Sequence, residues 1–164
     1  MDIKDKLKLY LDDYLKPVRK SLFREALVGK KREADYECAS ADINNFINEN
    51  KEEDTFQTKL FKYIDDKNLK DSDVYNKVNI DRRLFSKIRS NKDYHPSKET
   101  IILFGLALEL NEDEIVDLLS SASYSLPMNT TYDLIIRFCF KEHIYNINTV
   151  NEFLYEYKCK LLGE

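Results

Sequence analysis

Residues 78–119 read VNIDRRLFSKIRSNKDYHPSKETIILFGLALELNEDEIVDLL and decide the fold class. Their apolar residues recur every three or four positions, which is typical of amphipathic helices. Three residues of the stretch are of the types that begin helices, namely Asp81, Ser97 (which follows Pro96) and Asn111. The stretch therefore predicts three successive helices, over residues 82–90, 98–110 and 112–120.

The same signals continue on both sides. Thr55 or Asp54 is placed to cap a preceding helix, and Asp71 or Ser72 to cap a shorter one. Asn79 suits the left-handed turn after that shorter helix, because asparagine adopts a positive φ more readily than most residues. Two further helices are predicted over residues 129–143 and 148–161.

Glycine and proline are scarce, with three of each in the whole chain. A many-stranded sheet needs these residues in its tight turns, so the composition favours helices throughout. The predicted fold class is all-α.

The N-terminal part of the chain is predicted to be a helical extension. An apolar stripe with helical spacing runs from Ile3 to Leu27, and Pro17 predicts a kink or a break within it. The stripe would cover the core of the central module or pair with a second copy, and the lack of sustained heptads favours packing within the chain. A polar linker and a short helix near residues 40–48 follow. The predicted domains are an extension and linker over 1–54, a module over 55–123, and a helical pair packed on the module over 124–164.

The charge of the chain is unevenly distributed. The formal net charge is −4. Residues 16–32 hold seven basic side chains and one acidic one, and residues 77–98 hold seven basic and two acidic ones, so the two blocks carry +6 and +5 and the rest of the chain −15. A local basic surface can bind a polyanion although the whole chain is acidic. The alternative interpretation is a set of solvated helix faces.

Membrane and secreted classes are disfavoured. No apolar run approaches the roughly 18 residues that span a bilayer, and charges interrupt the N-terminus where a signal peptide is apolar. Cys38, Cys139 and Cys159 are odd in number and lack metal-ligand spacing, which indicates reduced thiols and a cytoplasmic location.

Catalysis has little support in the sequence. Cys139 and His143 lie four positions apart on one predicted helix, but two side chains do not complete a metal site, and the apolar neighbours of Cys139 indicate a buried structural thiol. His95 is interpreted as a loop residue or a phosphate contact. Because neither a Gly-rich phosphate loop nor a His-Glu-x-x-His motif occurs, we predict no enzyme activity, no cofactor and no metal.

The chain resembles lambda-repressor-like (XRE-type) helix-turn-helix regulators of bacteria over residues 55–122. Ile80 stands where that family has its buried turn residue, and Phe85 and Ile88 stand where it has the apolar pair of the recognition helix. The family's Pro-Ser-x-x-Thr-Leu position is matched by Pro96, Ser97, Thr100 and Ile101. The resemblance implies a five-helix module with an N-terminal extension and two additional C-terminal helices.

The function implied by the resemblance is that of a transcriptional regulator. The helix over residues 82–90 would enter the major groove of double-stranded DNA. Arg82 or Arg83 would read a base, because an arginine donates two hydrogen bonds to O6 and N7 of guanine, and Ser86 and Lys87 would also reach base edges. Such proteins dimerise to place two recognition helices about 34 Å apart, so a homodimer is an expected assembly. The residues implied to hold phosphates are Lys87, Arg89, Asn91, Lys92 and Lys98.

The alternative function is a non-enzymatic protein-interaction or adaptor module that keeps the fold without binding DNA. Ser72 and Asp73 stand where the family's second helix often opens with Thr-Gln, and an aspartate there would repel phosphate. Residues 55–164 are also similar to the helical region that follows ADP-ribose-binding macro domains in some bacterial proteins. The 54 preceding residues are too few for a macro domain, so no ADP-ribose chemistry is carried over.

Overall fold

The computed structural model describes residues 2–14, 43, 45–49, 55–91 and 94–163, and every regular element in these ranges is helical. The all-α prediction is confirmed for this part of the chain. Residue 43 and residues 45–49 are helical within the unit formed by residues 17–53. The helices of the other unit are α1 (Ile3–Tyr14), α2 (Phe56–Asp66), α3 (Asp71–Lys77), α4 (Arg82–Ser90), α5 (Lys98–Ala107), α6 (Glu112–Ser121), α7 (Thr131–Lys141) and α8 (Ile147–Glu156).

Four of these helices begin at the residue that the sequence predicts, whereas α7 and α8 begin at Thr131 and Ile147 instead of the predicted 129 and 148. The side chains of Thr55, Asp81 and Ser97 each accept a hydrogen bond from a backbone N–H in the first turn of α2, α4 and α5. Asn111 forms a capping box with Glu114 at the start of α6. Each such bond satisfies one of the N–H groups that a helix start leaves without a partner.

The predicted cap of α3 is wrong. Lys70 occupies the N-cap position and its side chain makes no capping bond, so Asp71 lies inside the helix instead of before it. The Asp71 carboxylate accepts a hydrogen bond from Arg89 of α4 at 2.7 Å, and this contact between helices takes the place of the local cap. Asp71 and Asp73 both lie in the first turn of α3, where negative charge interacts favourably with the helix dipole.

Six of the helices end in the same tight turn. A residue with positive φ follows the helix, and the next N–H donates to the carbonyl five residues back, as Ile80 does to Tyr75 at 2.9 Å. Asn79, with φ of 54°, confirms its predicted left-handed conformation. None of these six residues is glycine: Asn68, Asn79, Glu109, Ser123, His143 and Lys158.

Helix α5 forms the centre of the core. Every residue from Ile101 to Ala107 is buried, so α5 has no exposed face over that length. Gly105 allows a close approach of neighbouring side chains, because a Cβ atom there would lie 2.5 Å from Ile115 of α6 and 3.0 Å from Phe140 of α7. Helix α5 also contacts α3, and α6 contacts α2 and α7.

Helix α1 completes this unit from the other end of the sequence. Leu7 and Leu11 are buried, and α1 packs on α7, with the rings of Tyr10 and Phe138 5.4 Å apart. The described part of the predicted stripe therefore packs within the chain, on the first of the two C-terminal helices. Pro17 and the basic residues 16–32 lie outside the described residues.

Candidate nucleic-acid interface

Helix α4 presents a basic outer face. Its apolar residues recur with helical spacing, so that Phe85 and Ile88 are buried while the basic residues around them stay exposed. Phe85 packs against Phe61, Tyr75 and Phe104 from α2, α3 and α5, with ring centroids 5.6–5.9 Å apart. This aromatic cluster fixes which side of α4 turns outward.

Arg82 and Arg83 lie exposed at the start of α4. Asp81 caps the helix by accepting from the N–H of Arg83 at 2.6 Å. Neither arginine side chain has a hydrogen-bond or ion-pair partner among the described residues, and Ser86, one turn later, is likewise exposed and unpartnered there. These three side chains are available to an external ligand.

A groove of about 660 Å³ runs along α3 and α4. Arg82, Ser86 and Arg89 line it from α4, since residues four and three apart share a helix face. Its other walls carry charges of both signs, because Lys70 is accompanied by Asp65 and Asp71. The face of α4 with Arg83 and Lys87 lies outside this groove.

Lys87 and Arg89 are exposed but are held by neighbouring groups. The Lys87 ammonium lies 4.3 Å from the centre of the Tyr94 ring. The Arg89 guanidinium lies 4.4 Å from that of Phe61 and pairs with Asp71. The cation–π contact of each side chain fixes its direction. The ion pair with Asp71 also neutralises the charge of Arg89.

Lys98 lies apart from the group on α4. Its ammonium is 2.5 Å from a carboxylate oxygen of Asp133, which is buried and also accepts from the hydroxyl of Thr130 at 2.6 Å. Lys98 thus joins α5 to α7, and its charge is neutralised within the fold. Asn91 is exposed at the end of α4, and Lys92 lies outside the described residues.

Sequence analysis missed Gln57 of α2 as part of this region. Its side-chain amide donates to the carbonyls of Ile88 and Arg89, in the last turn of α4, at 2.6 and 2.7 Å. No sequence signal marks this contact, because it joins residues more than thirty positions apart on different helices.

The cysteine and histidine considered for catalysis lie in different surroundings, since Cys139 is buried and His143 is exposed. Cys139 is fully buried, and this burial raises the pKa of its thiol to about 12, which favours the neutral thiol at neutral pH. The His143 ring bonds to the hydroxyl of Tyr145 at 2.8 Å in the loop after α7. Within the described ranges, no three His, Cys, Asp or Glu side chains are grouped as a metal site.

Among the described residues, every helix is too short or too polar to cross a bilayer. Comparison of the chain with models of known families, with curated proteins and with solved structures gives no match.

Proposed function

We propose that the chain is a helix-turn-helix protein that binds double-stranded DNA and regulates transcription. In this proposal α2 to α6 form the lambda-repressor-like module, α3 and α4 with the turn between them form the helix-turn-helix, and α4 enters the major groove. The observation that carries the proposal is that Arg82 and Arg83 are exposed at the start of α4, where neither side chain has a partner among the described residues.

The geometry of α4 supports this role. An α-helix with its side chains is about 10–12 Å in diameter, and the major groove is about 12 Å wide, so a helix whose outer face is exposed, as that of α4 is, fits into it. Recognition helices contact base edges with their N-terminal residues, and Arg82 and Arg83 are the first two residues of α4. An arginine that is already paired inside the protein would have to break that pair first, whereas these two have no such pair with any described residue.

The side chains of α4 divide into two roles under this proposal. Arg82, Arg83 and Ser86 face bases, and Lys87, held over Tyr94, contacts a phosphate. Arg89 and Lys98 serve the fold instead, because each is neutralised by a carboxylate of another helix. One module of this size makes few base contacts, so we expect a second copy or a second protein to strengthen the binding.

Fluorescence anisotropy of a labelled duplex of random sequence tests the proposal at two salt concentrations. The wild-type chain should bind with an affinity that falls steeply with salt, by about 0.9 logarithmic units per neutralised phosphate for each tenfold increase in salt. The double variant Arg82→Ala/Arg83→Ala should lose most of this affinity.

The matched control is Lys8→Ala/Lys158→Ala, which removes two positive charges from exposed positions on α1 and after α8. Binding by the control with loss in the arginine variant supports α4 as the contact. Equal loss in both variants would mean a general charge effect, and no binding by the wild type at low salt would contradict the proposal.

A protein-interaction module is the second candidate, and one observation favours it. Asp73 is exposed in the first turn of α3, and Asp71 and Asp65 line the groove beside α4. These carboxylates oppose a phosphate backbone that approaches α3. If the wild type binds no duplex, capture of a protein partner that is lost on Arg82→Ala/Arg83→Ala would support this candidate.

A further inference from the structure

The C-terminal end of α4 is built differently from the ends of the six helices that close with a positive-φ residue. At its C-cap, Asn91, the chain is already extended, with φ of −118° and ψ of 105°. Among the described residues, the N–H of Asn91 donates to the carbonyl of Lys87. The next two carbonyls of α4, those of Ile88 and Arg89, accept hydrogen bonds from a side chain of another helix.

That side chain is Gln57, in the first turn of α2. Its amide nitrogen carries two protons and lies 2.6 Å from the carbonyl oxygen of Ile88 and 2.7 Å from that of Arg89, so both protons are directed to the end of α4. Gln57 is half-buried. It stands between Phe56, which is buried, and Thr58, whose backbone N–H donates to the capping side chain of Thr55.

The helix that carries Gln57 is itself firmly held. Leu60 and Ile64 bury one face of α2, and Lys59 pairs with Asp117 of α6 at 2.6 Å. Arg89 adds a second attachment, since it pairs with Asp71 of α3 and lies over the Phe61 ring of α2. The last turn of α4 is thus attached by polar contacts to both α2 and α3.

We infer that Gln57 is a positioning residue for base recognition: by holding the last turn of α4 against α2, it sets the angle at which Arg82 and Arg83 meet the base edges. This inference rests on the proposed DNA-binding function. A tilt of about 10° over a helix of about 13 Å moves its far end by about 2 Å, which exceeds the tolerance of about 0.5 Å for a directed contact. Contacts to phosphates tolerate such a shift far better, because they depend on charge more than on direction.

The key variant is Gln57→Glu, which keeps the size of the side chain and removes both donors. A carboxylate also repels the two carbonyls. Asn148→Asp is the matched control, since it makes the same amide-to-carboxylate change at an exposed position on α8. Gln57→Lys restores a donor to the carbonyls and serves as the rescue variant.

The measured quantity is sequence preference, which is the ratio of affinities for two duplexes of equal length and composition. One duplex is the best binder selected by the wild type from a random pool, and the other is its shuffled sequence. Gln57→Glu should lose about tenfold or more of this preference, equivalent to one bidentate base contact, while the salt dependence of binding stays unchanged. The control should keep the full preference, and Gln57→Lys should regain part of it.

This ratio separates positioning from simple stability. A variant that only unfolds more easily loses affinity for both duplexes by the same factor and leaves the ratio unchanged, and circular dichroism at the assay temperature checks that each variant is folded. Full preference in folded Gln57→Glu would overturn the inference and leave the proposed function intact. A wild type that binds all duplexes equally would also overturn it. A wild type that binds no duplex would contradict the proposed function itself.

Discussion

The charged residues of this chain differ in whether the fold gives them a partner. Some are neutralised by a partner on another helix, as Lys98 is by Asp133, and others stay exposed without a partner in the described structure, as Arg82 and Arg83 do. A charged residue of the first kind contributes more to stability when its partner is buried, because a buried carboxylate without its cation is strongly unfavourable. The second kind contributes little to stability and is available for recognition.

Lys98→Met tests this distinction. The variant leaves the Asp133 carboxylate buried with only Thr130 as a hydrogen-bond donor from a side chain, so the free energy of unfolding should fall by about 3 kcal/mol. Urea unfolding followed by circular dichroism measures this change. The double variant Lys98→Met/Asp133→Leu should recover most of the loss, because it removes both charges. A loss below about 1 kcal/mol in the single variant would mean that the Lys98–Asp133 pair contributes no more than an ordinary surface ion pair, and would contradict this distinction.

At the scale of single helices, local sequence signals predicted the starts of four helices correctly but predicted few of their ends. Thr55, Asp81, Ser97 and Asn111 cap as predicted, because a cap uses a side chain and a backbone group only a few residues apart. Asp71 does not, because a distant arginine competes for its carboxylate. Of the six positive-φ ends, only Asn79 was predicted, since residues such as Glu109 and Lys158 have no preference for that conformation.

Asp81 illustrates how one element serves both stability and recognition. Asp81→Asn keeps the capping oxygen, so the free energy of unfolding should change by less than about 0.5 kcal/mol, whereas Asp81→Ala should lower it by about 1 kcal/mol. Asn also removes a negative charge beside Arg82 and Arg83, so affinity for duplex DNA should rise roughly threefold at low salt. Urea unfolding and anisotropy give the two values. Weaker DNA binding by Asp81→Asn would contradict this account.

Across the whole molecule, sequence periodicity predicted the helices but not their neighbours. The all-α class and the exposed face of α4 follow from local spacing, and the structure agrees with both. The packing of α1 on α7 could not be predicted from the sequence. An apolar stripe shows that a helix face will be buried, but it does not show which element will cover that face. The same limit explains why the contacts of Arg89, Lys98 and Gln57 were missed.

The position of α1 gives a prediction about stability and assembly. Leu11 is buried, so Leu11→Ala should lower the free energy of unfolding by about 2–4 kcal/mol. Leu9 on the same helix is 59% exposed, so Leu9→Ala should change the free energy of unfolding by less than about 0.5 kcal/mol. The loss caused by Leu11→Ala, measured by urea unfolding, should be the same at two protein concentrations, because α1 packs within its own chain. Equal effects of the two variants, or a concentration-dependent midpoint lost in Leu9→Ala, would instead place the outer face of α1 between two copies.

The most direct test of the central claim is amide chemical-shift mapping of the isotope-labelled protein titrated with a duplex of random sequence at low salt. The account predicts that the largest changes fall on residues 81–91, with smaller ones on α3 and near Tyr94, and that added salt reverses them. Changes confined to α1, α7 or α8 would contradict the placement of the interface on α4, and a spectrum unchanged by DNA would contradict DNA binding itself.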